Sequence, residues 1–329
     1  MTDDGTAMVV IEDAWRSPAS LGPSVVTIGN FDGVHTGQQA ILQRLVDRGQ
    51  ATGVDSIMVT FEPHPQSVLQ PKQPPPRLTT RDQKRALVER MGVCAIAEVL
   101  FDESFAETTA QHFVEAFLHE KLQAAEVYVG SRFVFGRRKE GDLRLLRGIG
   151  RALGFEVFGV EEVVFGGAPV SSTRIRRAIQ AGEVADAGAM LGRAYSICGS
   201  VVRGDGRGKK LGWPTTNVAT AHEVLPQDGV YASKVWIPEL EGVFDAVTNV
   251  GSRPTFPDGD QKVVESHLFG FAGEIYGKRV ELCFLERLRG EQAFPSAEAL
   301  ISQIEKDAGR AREYLQQENC LEFVPTIRN

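Results

Sequence analysis

Few tasks require the mixture of residues found at Gly199–Val218, GSVVRGDGRGKKLGWPTTNV. Glycines such as Gly204 and Gly208 let backbone N–H groups approach a polyphosphate, and Arg207, Lys209 and Lys210 supply compensating positive charge. The hydroxyl of Thr215 and the amide oxygen of Asn217 are hard ligands, suited to a phosphate-bound Mg2+. A Walker loop has a different order, with one Lys-Ser/Thr pair opening a helix. A second nucleotide-type signal lies far upstream at Thr27–Gln38, TIGNFDGVHTGQ. There Gly29, His35 and the amides that follow sit between a strand and a helix, where a helix N-terminus can hold an anion. Two phosphate sites in one chain point to two consecutive reactions of one pathway.

The elements that must carry these residues fall into two patterns. In the first half, apolar strand-like runs at Ser24–Ile28, Ser56–Phe61, Glu126–Val129 and Phe155–Val164 alternate with helical periodicity at Gln38–Arg48, Arg81–Met91 and Ala106–Leu122. Gln70–Arg77, with four prolines, reads as a loop. This alternation predicts a parallel sheet that binds ligands at the carboxyl ends of its strands. After about Ala185, short runs at Tyr195–Val202, Gly229–Trp236, Phe244–Val250, Lys262–Phe269 and Arg279–Leu285 predict an antiparallel barrel, with the Pro-Thr-Thr-Asn segment as a turn. Ser296 should cap a final helix to about Gln317, with Glu298 in its favourable first turn.

Composition sets wider bounds. A chain of 329 residues, 42% hydrophobic and 24% charged, fits two soluble globular domains. The acidic start lacks the basic flank of a signal peptide, and no apolar run reaches membrane-spanning length. Four scattered cysteines without metal-ligand spacing read as buried or idle thiols, so a cytoplasmic location is expected. A net charge of −7 argues against broad nucleic-acid binding, and oligomeric state stays open. His112, His119 and His222 lack partners at catalytic spacing and read as surface or packing residues. His64, between two prolines, reads on its own as a loop-packing residue.

The ordered set GNFDGVH, TFEPHP at Thr60–Pro65, VSSTRIR at Val170–Arg176, LGWPTTN, DGVYA and NVGSRPTF spans nearly the whole chain. It resembles the bacterial bifunctional riboflavin kinase/FAD synthetases, whose first half belongs to the HIGH-type nucleotidylyltransferases. The resemblance implies a Rossmann-like α/β FMN adenylyltransferase domain at 1–186. It implies a six-stranded riboflavin kinase barrel with a C-terminal helix at 187–329. Both would use ATP and Mg2+, converting riboflavin to FMN and FMN to FAD. Carried over, Gly29, Asn30, Phe31, His35, Gln38, Ser172, Thr173 and Arg176 match the ATP-binding positions of the first half, with His35 as the first histidine of an H-x-G-H motif. In the second half Gly204, Arg207, Gly208, Lys209, Thr215 and Asn217 match the ATP and metal positions. Glu265 matches the catalytic carboxylate, and Arg289, Glu291 and Phe294 match a flavin-binding RxExxF segment. A solvated salt bridge is the expectation for Glu286 and Arg287.

The chain departs from the family pattern at Gln38, where a second histidine is usual, at Arg132, where Asp is usual, and at Glu62, where Asp is usual. A kinase with a non-adenylylating first half, or a flavin-sensing regulator, are the alternative readings.

Overall fold

The computed structural model describes residues 7–18, 20–204, 206, 208, 211–253, 261–317 and 321–327. The chain forms two compact units, one of Met1–Pro76 and Lys84–Val170, the other of Arg77–Gln83 and Ser171–Asn329.

In the first unit, strands β1 (Val9–Ile11), β2 (Ser24–Ile28), β3 (Asp55–Glu62), β4 (Ala95–Leu100), β5 (Ala124–Gly130) and β6 (Glu156–Val160) form one sheet in the order β1-β4-β3-β2-β5-β6. Every pairing is parallel, as the alternation predicts. Helices α1 (Thr36–Thr52), α2 (Arg81–Arg90, of which Lys84 onward belongs to this unit) and α3 (Leu143–Leu153) accompany it. Successive strand residues face opposite sides. Val26, Ile57, Ala97 and Val127 join a core with Phe113 and Phe117. Val25, Met58 and Ile96 join another with Leu42, Leu45 and Val46 of α1. The strand order reverses direction beside β2, so the loop leaving its carboxyl end lies at a topological switch point.

Of the strands and helices just given, β1, β4 and α3 have no counterpart in the sequence reading. The reason is clearest in β4, AIAEVL, whose apolar run is broken by Glu98. That carboxylate is buried because Arg85 of α2 grips it with two hydrogen bonds of 2.9 and 2.7 Å. A paired charge can occupy a central strand, but the sequence alone does not reveal its partner.

In the second unit, α4 (Ser172–Gln180) and α5 (Val184–Leu191) precede the strands β7 (Tyr195–Val202), β8 (Thr216–Ala219), β9 (Gly229–Ile237), β10 (Gly242–Arg253), β11 (Gln261–Leu268) and β12 (Arg279–Gly290). These close a barrel in the order β7-β8-β11-β10-β9-β12, with antiparallel pairing throughout. Helix α6 (Ala297–Leu315) follows, capped by Ser296 as expected. The Pro-Thr-Thr-Asn segment is not a turn: Thr216 and Asn217 begin β8. Tyr231 is fully buried, packed edge-to-face on Phe284 at 5.4 Å, and burial pushes its hydroxyl up to about 12.

Two buried groups tie the ends of this unit together. Glu281 on β12 accepts hydrogen bonds from Ser196 Oγ (2.6 Å), Thr326 Oγ1 (2.9 Å) and Ile327 N (3.1 Å), and from Thr326 N. It thereby pins the segment Leu321–Ile327 to β7 and β12. Gln83 donates to Ser196 Oγ at 3.4 Å, while Glu223 accepts from Arg77 N and Nε at 2.7 and 3.0 Å, so Arg77–Gln83 is wired into the same unit. Replacing Glu281 with Ala strands these donors in a dry interior, and denaturant unfolding should show a loss of about 3–5 kcal/mol.

His222, expected at the surface or in packing, is buried, and its Nε2 has no hydrogen-bond partner. Burial pushes its pKa down to about 4, against a smaller upward pull from Glu223. A depressed histidine is neutral in the fold and takes up its proton more readily when unfolded. Its contribution is therefore complete above pH 6.5, the ordinary histidine value, and is lost as pH falls toward 4. Between pH 7 and 5, unfolding free energy should fall less in His222→Leu than in the parent, the difference being about 2 kcal/mol.

Candidate active sites

The loop after β2 is built on residues with left-handed backbone: Phe31 (φ 48°), Gly33 (φ 91°) and Val34 (φ 45°). A positive φ is costly for valine and phenylalanine, and both side chains are anchored by burial. Gly29 has a local reason of its own, since a Cβ there would stand 3.1 Å from the Phe31 ring. The loop delivers His35 to the N-cap of α1, a helix with no acidic residue in its first turn to compete with an anion.

His35 and Gln38 form a reciprocal capping box. Gln38 N donates to His35 Nδ1 at 3.3 Å, and His35 N donates to Gln38 Oε1 at 3.0 Å. With Nδ1 accepting, the neutral ring carries its proton on Nε2, which makes that edge a donor. Gln38 thus orients His35 through the cap, a role its residue type permits and the sequence reading did not anticipate.

Asn30, on the same loop, is braced from below. Its carbonyl accepts from Lys84 Nζ (3.2 Å) and Thr60 Oγ1 (3.2 Å), and Lys84 also donates to Thr60 Oγ1 (3.3 Å). Its side-chain amide lies 3.3 Å from His64 Nε2. His64 in turn caps the short helix Pro65–Leu69 by accepting from Gln66 N at 3.2 Å. The second histidine of this unit therefore touches the nucleotide-type loop rather than merely filling a bend. Lys84 was missed because a lone lysine in an amphipathic helix carries no signal of burial.

Arg132 is 71% exposed and pairs with Glu162, with its Nε 2.7 Å from a carboxylate oxygen. Ser172, Thr173 and Arg176 stand on the first turns of α4, which Ser171 caps by accepting from Arg174 N at 3.3 Å. By contact, that helix belongs to the second unit.

In the barrel, one row of residues crosses three strands: Asn217 on β8 pairs with Glu265 on β11, which pairs with Asn249 on β10. All three line a cavity of about 190 Å³, together with Gly206, Gly208, Thr215, Gly251, Ser252, Val263 and Glu291. Strand alternation sends the neighbours of this row inward. Ser266 and Thr248 are fully buried, with Thr248 Oγ1 2.6 Å from both Ser266 Oγ and Ser233 Oγ. Thr216 Oγ1 adds a bond of 3.0 Å to Ser266 O.

Glycines in this site are spaces for polar neighbours. A Cβ on Gly204 would fall 2.2 Å from Asn217 Nδ2, one on Gly208 2.3 Å from Trp213 O, and one on Gly251 2.2 Å from Glu291 Oε1. Ser252 donates to Asp228 Oδ2 at 2.8 Å. Burial alone would raise the Asp228 pKa, but hydrogen bonds from Lys262 and Ser252 prevail and hold it below the ordinary range.

The structure gathers Gly208, Thr215, Asn217, Glu265 and Glu291 around one cavity, which Asn249, from the NVGSRPTF segment, and Val263 line as well. Arg207 and Lys209 lie outside the described residues. Arg289 does not line the cavity; its Nε is held at 2.9 Å by buried Asp307 of α6, and its guanidinium lies 5.7 Å from the Phe294 ring centre. Asp307 was unreadable in sequence because its partner is eighteen residues away on another element.

Arg287 corrects an expectation. Instead of a solvated salt bridge with Glu286, it donates to Asp228 O at 2.8 Å, packs against Gly182, and keeps a buried Nε without a partner. Burial raises the pKa of Glu286, whose charged neighbour is Arg310.

Among the described residues no helix is long and apolar enough to cross a membrane, and no cluster of three or more His, Cys, Asp or Glu could hold a metal. The FAD synthetase family model matches residues 17–174, and the riboflavin kinase model matches residues 191–315. The chain is 37% identical over 290 residues to the bifunctional riboflavin kinase/FMN adenylyltransferase of Escherichia coli K12, covering 88% of this chain and 92% of that protein. It is 38% identical to the protein of the same name from Pseudomonas fluorescens, covering 88% and 92%. The crystal structure of a macrolide-efflux protein from Streptococcus pneumoniae is similar with a TM-score of 0.85 at 29% identity, covering 94% of this chain and 99% of that one. With both family models matched in order and the fold of each half as expected, the chain belongs to the bifunctional riboflavin kinase/FMN adenylyltransferase family.

Proposed function

We propose that the barrel phosphorylates riboflavin to FMN and that the parallel-sheet unit adenylylates FMN to FAD, both from ATP. The observation that carries the reading is the row Asn217–Glu265–Asn249 opening on a cavity shared with Thr215.

In the first reaction Glu265 accepts the proton of the flavin's terminal hydroxyl as its oxygen attacks the γ-phosphorus, and ADP leaves. Asn217 and Asn249 flank the carboxylate and hold the reacting groups in line. The donors present fit Mg2+: Thr215 and Asn217 offer hard oxygens, and a cation that reaches the site on ATP needs few protein ligands. Bound there, it would neutralise charge gathering on the phosphates. Arg289, Glu291 and Phe294 supply the flavin side, with Asp307 fixing the direction of Arg289.

In the second reaction an FMN phosphate oxygen attacks the ATP α-phosphorus, and pyrophosphate leaves. The work is alignment and charge stabilisation, without a covalent intermediate. His35 offers Nε2–H to a phosphate oxygen at the N-terminus of α1, where the helix dipole favours an anion. The Gln38 backbone N–H holds that ring in its donor form while the Gln38 side chain fixes the His35 backbone, so a second histidine is not required for His35 to act. We place the functional boundary at 186/187 and the chemistry in the cytoplasm, where ATP and riboflavin are at hand.

Chromatography of products from riboflavin, ATP and Mg2+ tests the proposal. FMN and FAD together are expected; FMN alone, even with FMN supplied, would mean a silent first half, and no product would overturn the enzyme reading. Glu265→Gln should lower FMN formation by about 10²–10⁴-fold while FAD formation from added FMN persists. Gln38→Ala should do the reverse: FAD formation falls about fivefold, in line with the loss of about 1 kcal/mol of cap, and FMN formation stays at the parent rate.

A further inference from the structure

We propose that His267 is a positioning residue for the nucleotide side of the kinase cavity, holding the Trp213–Thr215 segment by one hydrogen bond and one ring contact. The proposal rests on reading the barrel as the kinase. His267 lies two residues beyond Glu265 on β11, on the same strand face, yet does not line the cavity. Its Nδ1 is 2.8 Å from the carbonyl oxygen of Pro214. A carbonyl can only accept, so Nδ1 carries the proton and donates. The ring stands edge-to-face on Trp213, with centroids 4.8 Å apart and planes at 66°. Phe269 supports the imidazole at 5.7 Å.

What His267 holds is coupled to the cavity wall. Trp213 N and Leu211 N both donate to Gly208 O, at 2.8 and 3.0 Å. The vacant Cβ position of Gly208 lies 2.3 Å from Trp213 O and 3.1 Å from Thr215 Oγ1. A shift of Trp213 or Pro214 therefore moves Gly208 and Thr215, both of which face the cavity. Glu265 is fixed separately, by its pairing with Asn217 and Asn249. Loss of His267 should loosen the grip on ATP and leave riboflavin binding and the proton acceptor in place.

Steady-state FMN formation by the full-length chain tests this, with ATP and riboflavin varied in turn. His267→Ala should raise the KM for ATP about tenfold and change the KM for riboflavin less than about twofold. His267→Asn, which keeps an N–H near the place of Nδ1, should recover most of the loss; His267→Phe, which keeps only a ring, should recover less. FAD formation from added FMN reports on the other unit and should stay at the parent rate. A titration with Mg–ADP, read as the change in tryptophan emission, should show the same order of variants without turnover. An unchanged ATP KM in His267→Ala, both KM values rising together, or Asn and Phe variants no better than Ala would overturn the proposal. If the parent chain makes no FMN, the kinase reading fails, and the titration still decides the role of His267.

Discussion

Everything in the barrel site depends on one register. Asn217, Glu265 and Asn249 converge because β8, β11 and β10 pair at a single alignment, and a slip of one strand by one residue would turn its member of the row toward the barrel interior. The interior enforces that alignment. Thr248 and Ser266 lie one row away and Ser233 two residues further along β9, all fully buried, and each finds its hydroxyl partner across a strand. A slip would leave these groups unsatisfied at about 1–3 kcal/mol apiece. The polar ladder inside and the reactive row outside are two sides of the same strands.

The adenylyl-transfer loop follows a different logic. Its backbone is bent through left-handed positions at Phe31, Gly33 and Val34, and burial holds the bend. Below it, Lys84 and Thr60 fasten the Asn30 carbonyl; at its end, Gln38 and His35 cap each other. The barrel secures its reactive groups through regular pairing, whereas the sheet unit secures them through side chains that tie down an irregular turn.

The motifs made much of the barrel site readable, because Gly208, Thr215, Asn217 and Glu265 sit within short segments whose residue types have a direct chemical reason. The parallel sheet was readable where strands carried a β-branched run without charge, as in β2, SVVTI. Reading stopped wherever a residue's meaning lay in a distant partner. Glu98 in β4 looks like a solvent-facing charge until Arg85 is placed beside it, and Asp307 looks like ordinary helix surface until Arg289 is. The Pro-Thr-Thr-Asn segment has the composition of a turn and the structure of a strand start, since pairing with β11 outweighs local preference. Gln38 looked like a missing charge; its contribution is geometric.

The segment Arg77–Gln83 gives the second unit an unusual history in time. Gln83 leaves the ribosome long before its partner Ser196, 113 positions later, and Arg77 waits longer still for Glu223. The second unit is therefore discontinuous along the chain and cannot be completed in the order in which it is made. A barrel expressed from residue 187 onward would begin without α4, Arg77 or Gln83, with Ser196 and Glu223 deprived of their native contacts. Separating the two activities by cutting the chain thus removes part of the very unit being isolated, and the two halves are better silenced in place than separated.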